Sequence, residues 1–355
     1  MTPGGDAPGD PPPASPSDST SDGAPSPGAT LAVPQPARPG LSTFTIEGRA
    51  APGLFVIGWL ASILGAGILF IGFQAPRSVL ASLLILGALV LLSIGLISAA
   101  GSQAIERRAR GATAYAGPSP FLLLAAAVAV ASVLSAFVGI AIRLVGGDPE
   151  GPLATLLLLA VIQVTYLGLT RLLVVGTGAL TWAEMGIRSG LRQGVTDLAW
   201  GASIAIPVIA LTSIVAALVS IVVSAVPESP LPATGTASGL LLNLIGGALL
   251  VPIGEEVLFR GVATTAWLRV YGPTRAIVQG ALFFAIVHVL QVGGTSPEQA
   301  LGLAVVAFAT RVPVALALGW LFVTRRSIWA SIGLHAAFNG ILIVLAEVVR
   351  ANPPS

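Results

Sequence analysis

The chain contains no cysteine, which excludes disulfide scaffolds, thiolate metal centres and cysteine nucleophiles together. Lysine is absent as well. All 17 basic residues are arginine, set against 15 acidic ones, so a net charge of +2 describes no basic patch for nucleic acid. Charged residues make up only 9% of the 355 residues while hydrophobic ones make up 55%, and mean hydropathy is +0.92. So few charges cannot clothe a body of this size against water, whereas lipid makes such a shell unnecessary. The chain also lacks an H-E-x-x-H motif, and G-I-R-S-G around Ser189 sits in a polar loop beside two arginines. Its six aspartates fall in the N-terminal stretch, in loops or, for Asp197, at the start of an apolar run, which leaves no buried aspartate dyad.

Residues 1 to 48 are rich in Pro, Gly, Ser, Ala and Thr and read as a disordered cytoplasmic tail. They lack the basic start and apolar h-region of a cleavable signal peptide. From Ala51 onward, apolar runs long enough to cross about 30 Å of hydrocarbon recur between short polar breaks. Nine are predicted, at 52 to 73, 78 to 100, 119 to 144, 152 to 176, 198 to 224, 238 to 266, 274 to 292, 298 to 323 and 328 to 348. The expected fold is all-α: a polytopic bundle of eight or nine transmembrane helices. Pro252 and Pro313 are expected to kink the sixth and eighth runs.

The arginines supply an orientation, because short cytoplasmic loops are enriched in basic residues. With the N-terminus in the cytoplasm, eleven arginines from Arg38 to Arg326 fall on the inner side, and Arg77, Arg143 and Arg350 on the outer. Arg171, Arg260 and Arg311 fall inside apolar runs. The expected location is the plasma (inner) membrane.

An ionised side chain at mid-bilayer costs about 2.5 to 3.5 kcal/mol on insertion scales, so each such residue asks for a reason. In P-I-G-E-E-V-L-F-R-G, Glu256 and Arg260 are four residues apart and can pair on one helical face. Glu255 is rotated about 100° away with no local partner, as a reactive carboxylate would be. The chain's two histidines, His288 and His335, both lie in apolar runs; Phe284 shares a face with His288 and Asn339 with His335. Glu256, His288 and Asn339 are each 13 residues from the nearest inner-side arginine, about 20 Å of helix, so these groups are expected in one layer near the bilayer centre.

The strings E-E-V-L-F-R (Glu255 to Arg260), F-A-I-V-H (Phe284 to His288) and H-A-A-F-N (His335 to Asn339) resemble, in order and spacing, the signature of the CAAX-processing and bacteriocin-processing (CPBP, or Abi) intramembrane proteases. The flanking W-A-E-M-G-I at Trp182 to Ile187 is similar too; the resemblance covers roughly residues 180 to 345 and implies a catalytic core at 181–350, with 49–180 as accessory helices. It implies peptide-bond hydrolysis in a polar cavity among membrane helices, on a peptide or protein substrate, lipid-modified or presented by its C-terminus. It further implies Glu255 as the general base, Arg260 and Phe284 as orienting residues with Glu256 holding the motif's geometry, and Asn339 as the oxyanion donor. His288 and His335 would polarise water or, with Glu255, hold a divalent metal such as zinc. Two alternatives stay open. One is a transporter with midplane charges; the other is a non-catalytic scaffold or immunity factor of the same family.

Overall fold

The structure, a computed structural model, describes residues 45–188, 190–223, 233–290 and 292–352, and every count below is of those residues. Most of the expected tail, and Ser189, lie outside them. Helices form where the apolar runs predict them: α1 Pro52–Gln74, α2 Val79–Ala109, α3 Pro120–Leu144, α4 Pro152–Val175, α5 Leu191–Val223, α6 Ala237–Tyr271, α7 Pro273–Val289, α8 Pro297–Arg325 and α9 Ile328–Ala351. No strand occurs among the described residues. Eight of the nine are long and apolar enough to cross a membrane; α7 has 17 residues, about 25 Å, and is the short one. The protein is an integral membrane helix bundle.

Proline sets many of the starts. It occupies the first turn of α1, α3, α4, α7 and α8, where an N–H has no intrahelical acceptor anyway. Ser78 and Ser296 cap α2 and α8 by accepting the N–H of Ala81 and Gln299. Pro313 lies inside α8, which runs through it without a break. At Pro252 the departure from α geometry is clear: wide π turns occupy Leu244–Leu250 and Val257–Thr264, on either side of the short α stretch that carries both glutamates.

Helices α1 to α4 pack in chain order, α4 lies against α6, and α6 in turn meets α7 and α9. Helix α8 packs on α7, α9 and the second half of α5, while the first half of α5 lies along α9. The α5–α9 contact is close because glycines face each other's backbone: a Cβ on Gly201 would overlap the Ala330 carbonyl, and one on Gly333 the Leu198 carbonyl. Asp197, in the second turn of α5 and buried, accepts from Arg325 at the end of α8 at 2.6 and 3.1 Å and from Gln193 at 3.0 Å. This aspartate thus ties two helices together inside the protein. The loop at Trp182 to Ile187 is equally fixed, since the Ile328 N–H donates to the Gly186 carbonyl and Met185 is fully buried.

Candidate active site in the helix bundle

Three helices bring the singled-out residues to one cavity of about 550 Å3. Helix α6 contributes Glu255, α7 contributes His288 and Phe284, and α9 contributes His335 and Asn339; Glu256 and Arg260 lie behind them, almost completely buried. The two glutamates face different ways, as a rotation of about 100° per residue requires. Glu256 Oε1 accepts from Arg260 Nη1 at 2.9 Å and from His335 Nδ1 at 2.8 Å. Arg260 Nη2 also donates to the Ala315 carbonyl of α8 at 3.4 Å. Its guanidinium carbon lies 4.5 Å from the centre of the Phe284 ring, which also packs against the His288 ring at 4.2 Å. The buried pair therefore does more than neutralise itself: it orients one imidazole directly and supports the other through Phe284.

Hydrogen bonding sets both tautomers. His288 Nδ1 lies 2.8 Å from the Phe284 carbonyl, which can only accept, so that nitrogen donates. His335 Nδ1 donates in the same way to the Glu256 carboxylate. In each neutral ring the lone pair is then on Nε2. Both Nε2 atoms stand 3.9 Å from Glu255 Oε2, which is buried and has no hydrogen-bond partner among the described residues. A carboxylate oxygen and two imidazole nitrogens thus converge.

A water at hydrogen-bond distance, about 2.8 Å, from two atoms 3.9 Å apart sees them at close to a right angle. Around a zinc ion with bonds of about 2.0 to 2.1 Å, donors in a tetrahedron would be about 3.4 Å apart. Among the described residues no group of three His, Asp or Glu side chains is drawn up closely enough to hold a metal ion. The donor types do suit one, since metal-binding histidines characteristically donate their other ring nitrogen to a carboxylate or carbonyl, as both do here.

Asn339 is held by a consequence of the proline. In the π turn the Val251 N–H bonds to the Gly246 carbonyl, and Pro252 has no N–H to offer, so the Gly247 carbonyl has no donor within its own helix. Asn339 Nδ2 supplies one at 2.9 Å. Its second N–H remains for the cavity that Asn339 lines.

Other residues reach the cavity without having been singled out from the sequence. Gln163 and Tyr166 of α4 line it, as do Ser132 and Ser135 of α3 and Thr310 of α8, so helices expected to be accessory form part of its wall. Neutral polar residues in apolar runs carry no charge signal, and only the packing of α4 on α6 reveals them. Of the remaining intramembrane arginines, Arg311 lines the cavity, whereas Arg171 is exposed in the last, π-helical turn of α4.

A buried carboxylate, two oriented imidazoles and an amide donor thus line one cavity within the membrane bundle. Residues 236–341, which hold every one of these groups, match the family model described as type II CAAX prenyl endopeptidase, Rce1-like, and this match supports the CAAX-protease (CPBP) family. No curated protein and no solved structure matched the chain.

Proposed function

We propose that the protein is an intramembrane endopeptidase in which Glu255 activates a water for attack on a peptide carbonyl. The observation that carries this reading is the unpartnered Glu255 Oε2, equidistant at 3.9 Å from two imidazole nitrogens whose lone pairs are directed by Nδ1 donation. A water in that gap donates one hydrogen to Glu255 and the other to an imidazole, leaving an oxygen lone pair for the carbonyl carbon. As the C–O bond forms, Glu255 takes the proton, and it returns it to the leaving nitrogen as the C–N bond breaks. The free N–H of Asn339 stabilises the oxyanion. A divalent metal, if bound, would be held by His288, His335 and Glu255 and would supply a water of lowered pKa. The Rce1-like family match supports peptide or protein as substrate, and the positive-inside count supports an N-terminus in the cytoplasm.

Purified in detergent and offered a library of quenched fluorescent peptides, the wild type is expected to cleave a subset. Glu255→Gln should lower that rate about 10²- to 10⁴-fold, the usual contribution of a general base. Undiminished cleavage by Glu255→Gln would remove Glu255 from the role. Survival of activity after exhaustive chelation supports the water-only arrangement, and its loss with rescue by zinc supports the metal set.

A further inference from the structure

Arg311 is the one charged group of the cavity with no role in the hydrolytic arrangement above. It is the middle residue of α8, 14 from each end, so about 21 Å of helix separates it from either helix terminus. Its only hydrogen bond among the described residues runs from Nη1 to Thr310 Oγ1 at 3.3 Å, and no carboxylate lies within 4.0 Å of it. Arg260, one helix away, shows what a satisfied arginine looks like here: a carboxylate on one nitrogen, a carbonyl on another, an aromatic face against it. A guanidinium at mid-helix with most of its donors unused is a costly feature in an apolar layer, and an anion relieves that cost.

We propose that Arg311 is a specificity-determining residue that pairs with a carboxylate carried by the substrate. The planar fork of arginine matches a carboxylate through two parallel hydrogen bonds, and the wall around it mixes apolar Val128, Leu159, Val314 and Phe338 with neutral polar residues such as Ser132 and Ser135. The central position decides against a lipid headgroup, which stays at the membrane surface; an anion must instead be carried in on a chain that enters the bundle. At about 550 Å3 the cavity takes a short apolar peptide segment. Its carboxylate is either a chain terminus or an acidic side chain. This inference rests on the peptidase reading for the kind of ligand, but its test does not require catalysis.

Full-length protein carrying Glu255→Gln, which leaves bound peptides uncut, is mixed in detergent with apolar pentapeptides. These are supplied as free acids, as C-terminal amides, and as amides with one internal glutamate; the retained peptides are quantified by mass spectrometry. Free acids should be retained about ten- to a hundredfold over amides, the range of a charge-assisted pair, and Arg311→Gln in the same background should reduce that ratio to near one. Arg311→Lys keeps the charge without the fork and should retain part of the preference, which also covers a Gln variant that fails to fold. Retention of the glutamate-containing amides as well as the acids assigns the carboxylate to a side chain; retention of acids alone assigns it to the terminus. Equal retention of acids and amides, a preference that survives Arg311→Gln, no retention of any peptide, or Arg311-dependent retention of phosphatidylglycerol instead would each overturn the proposal. If the acid preference holds while wild-type protein cleaves nothing, the peptidase reading fails and the anion site stands.

Discussion

Glu255, Glu256 and Arg260 lie within six residues, yet their substitution should divide cleanly into lost chemistry and lost stability. Glu255 has no ion-pair partner inside 3.9 Å, so Glu255→Gln removes the base and relieves a buried charge; the variant should insert and unfold like the wild type. Arg260→Ala instead strands Glu256, which is fully buried, and breaking such a pair from one side costs about 3 to 5 kcal/mol. Yield and thermal stability of the detergent-solubilised protein should fall sharply in that variant alone. His335→Phe should likewise lose activity at smaller cost in stability, because it removes one of two hydrogen bonds to Glu256 Oε1 but leaves the arginine. Equal unfolding temperatures for Arg260→Ala and the wild type would show that the pair does not hold the site. The opposed directions of the two glutamates were legible in the sequence from helical rotation alone. The bond between His335 and Glu256 was not, because it joins residues 79 apart and depends on how α9 packs against α6.

At the scale of elements, the bundle depends on backbones that approach where side chains are missing. Gly201→Ala or Gly333→Ala should force α5 and α9 apart, since the new methyl group meets a carbonyl of the facing helix in each case. Unfolding of either variant at or above the wild-type temperature would contradict that packing. The loop before α5 offers a pH-dependent counterpart outside the membrane spans. Glu184 accepts from the Thr181 N–H and hydroxyl and pairs with Arg269 at 2.6 Å, and these contacts, the Thr181 N–H first, hold its carboxyl below the usual glutamate range. A carboxylate with a lowered pKa stabilises the fold above its unfolded value, and the effect fades as pH falls through the folded one. The stability difference between wild type and Glu184→Gln should therefore be present at pH 6 to 7 and fade as pH falls below the ordinary glutamate value of about 4.3; a difference growing toward low pH would contradict the assignment. The apolar runs foretold nearly every helix, while the π turns were hidden, because Pro252 announces a disturbance but not that Gly247 would be left to bond Asn339.

For the whole molecule, the arginine distribution predicts alternating sides along the chain. Reporters inserted after Arg192 and after Ser229 should read opposite sides of the membrane, the first cytoplasmic. Identical readings would refute the orientation, and with it the cytoplasmic placement of the loop that carries Glu184. The polar cavity is lined by α3 to α9, and the central claim is that Glu255 activates water there and does not itself attack the substrate. A single turnover in water enriched in oxygen-18, with enzyme in excess over a cleaved peptide, tests this most directly. The newly formed C-terminal carboxylate should carry one heavy oxygen from the first turnover, with Glu255 unlabelled. An unlabelled first product, with the label appearing in the Glu255 side chain, would mean that the glutamate is the nucleophile and would contradict the account.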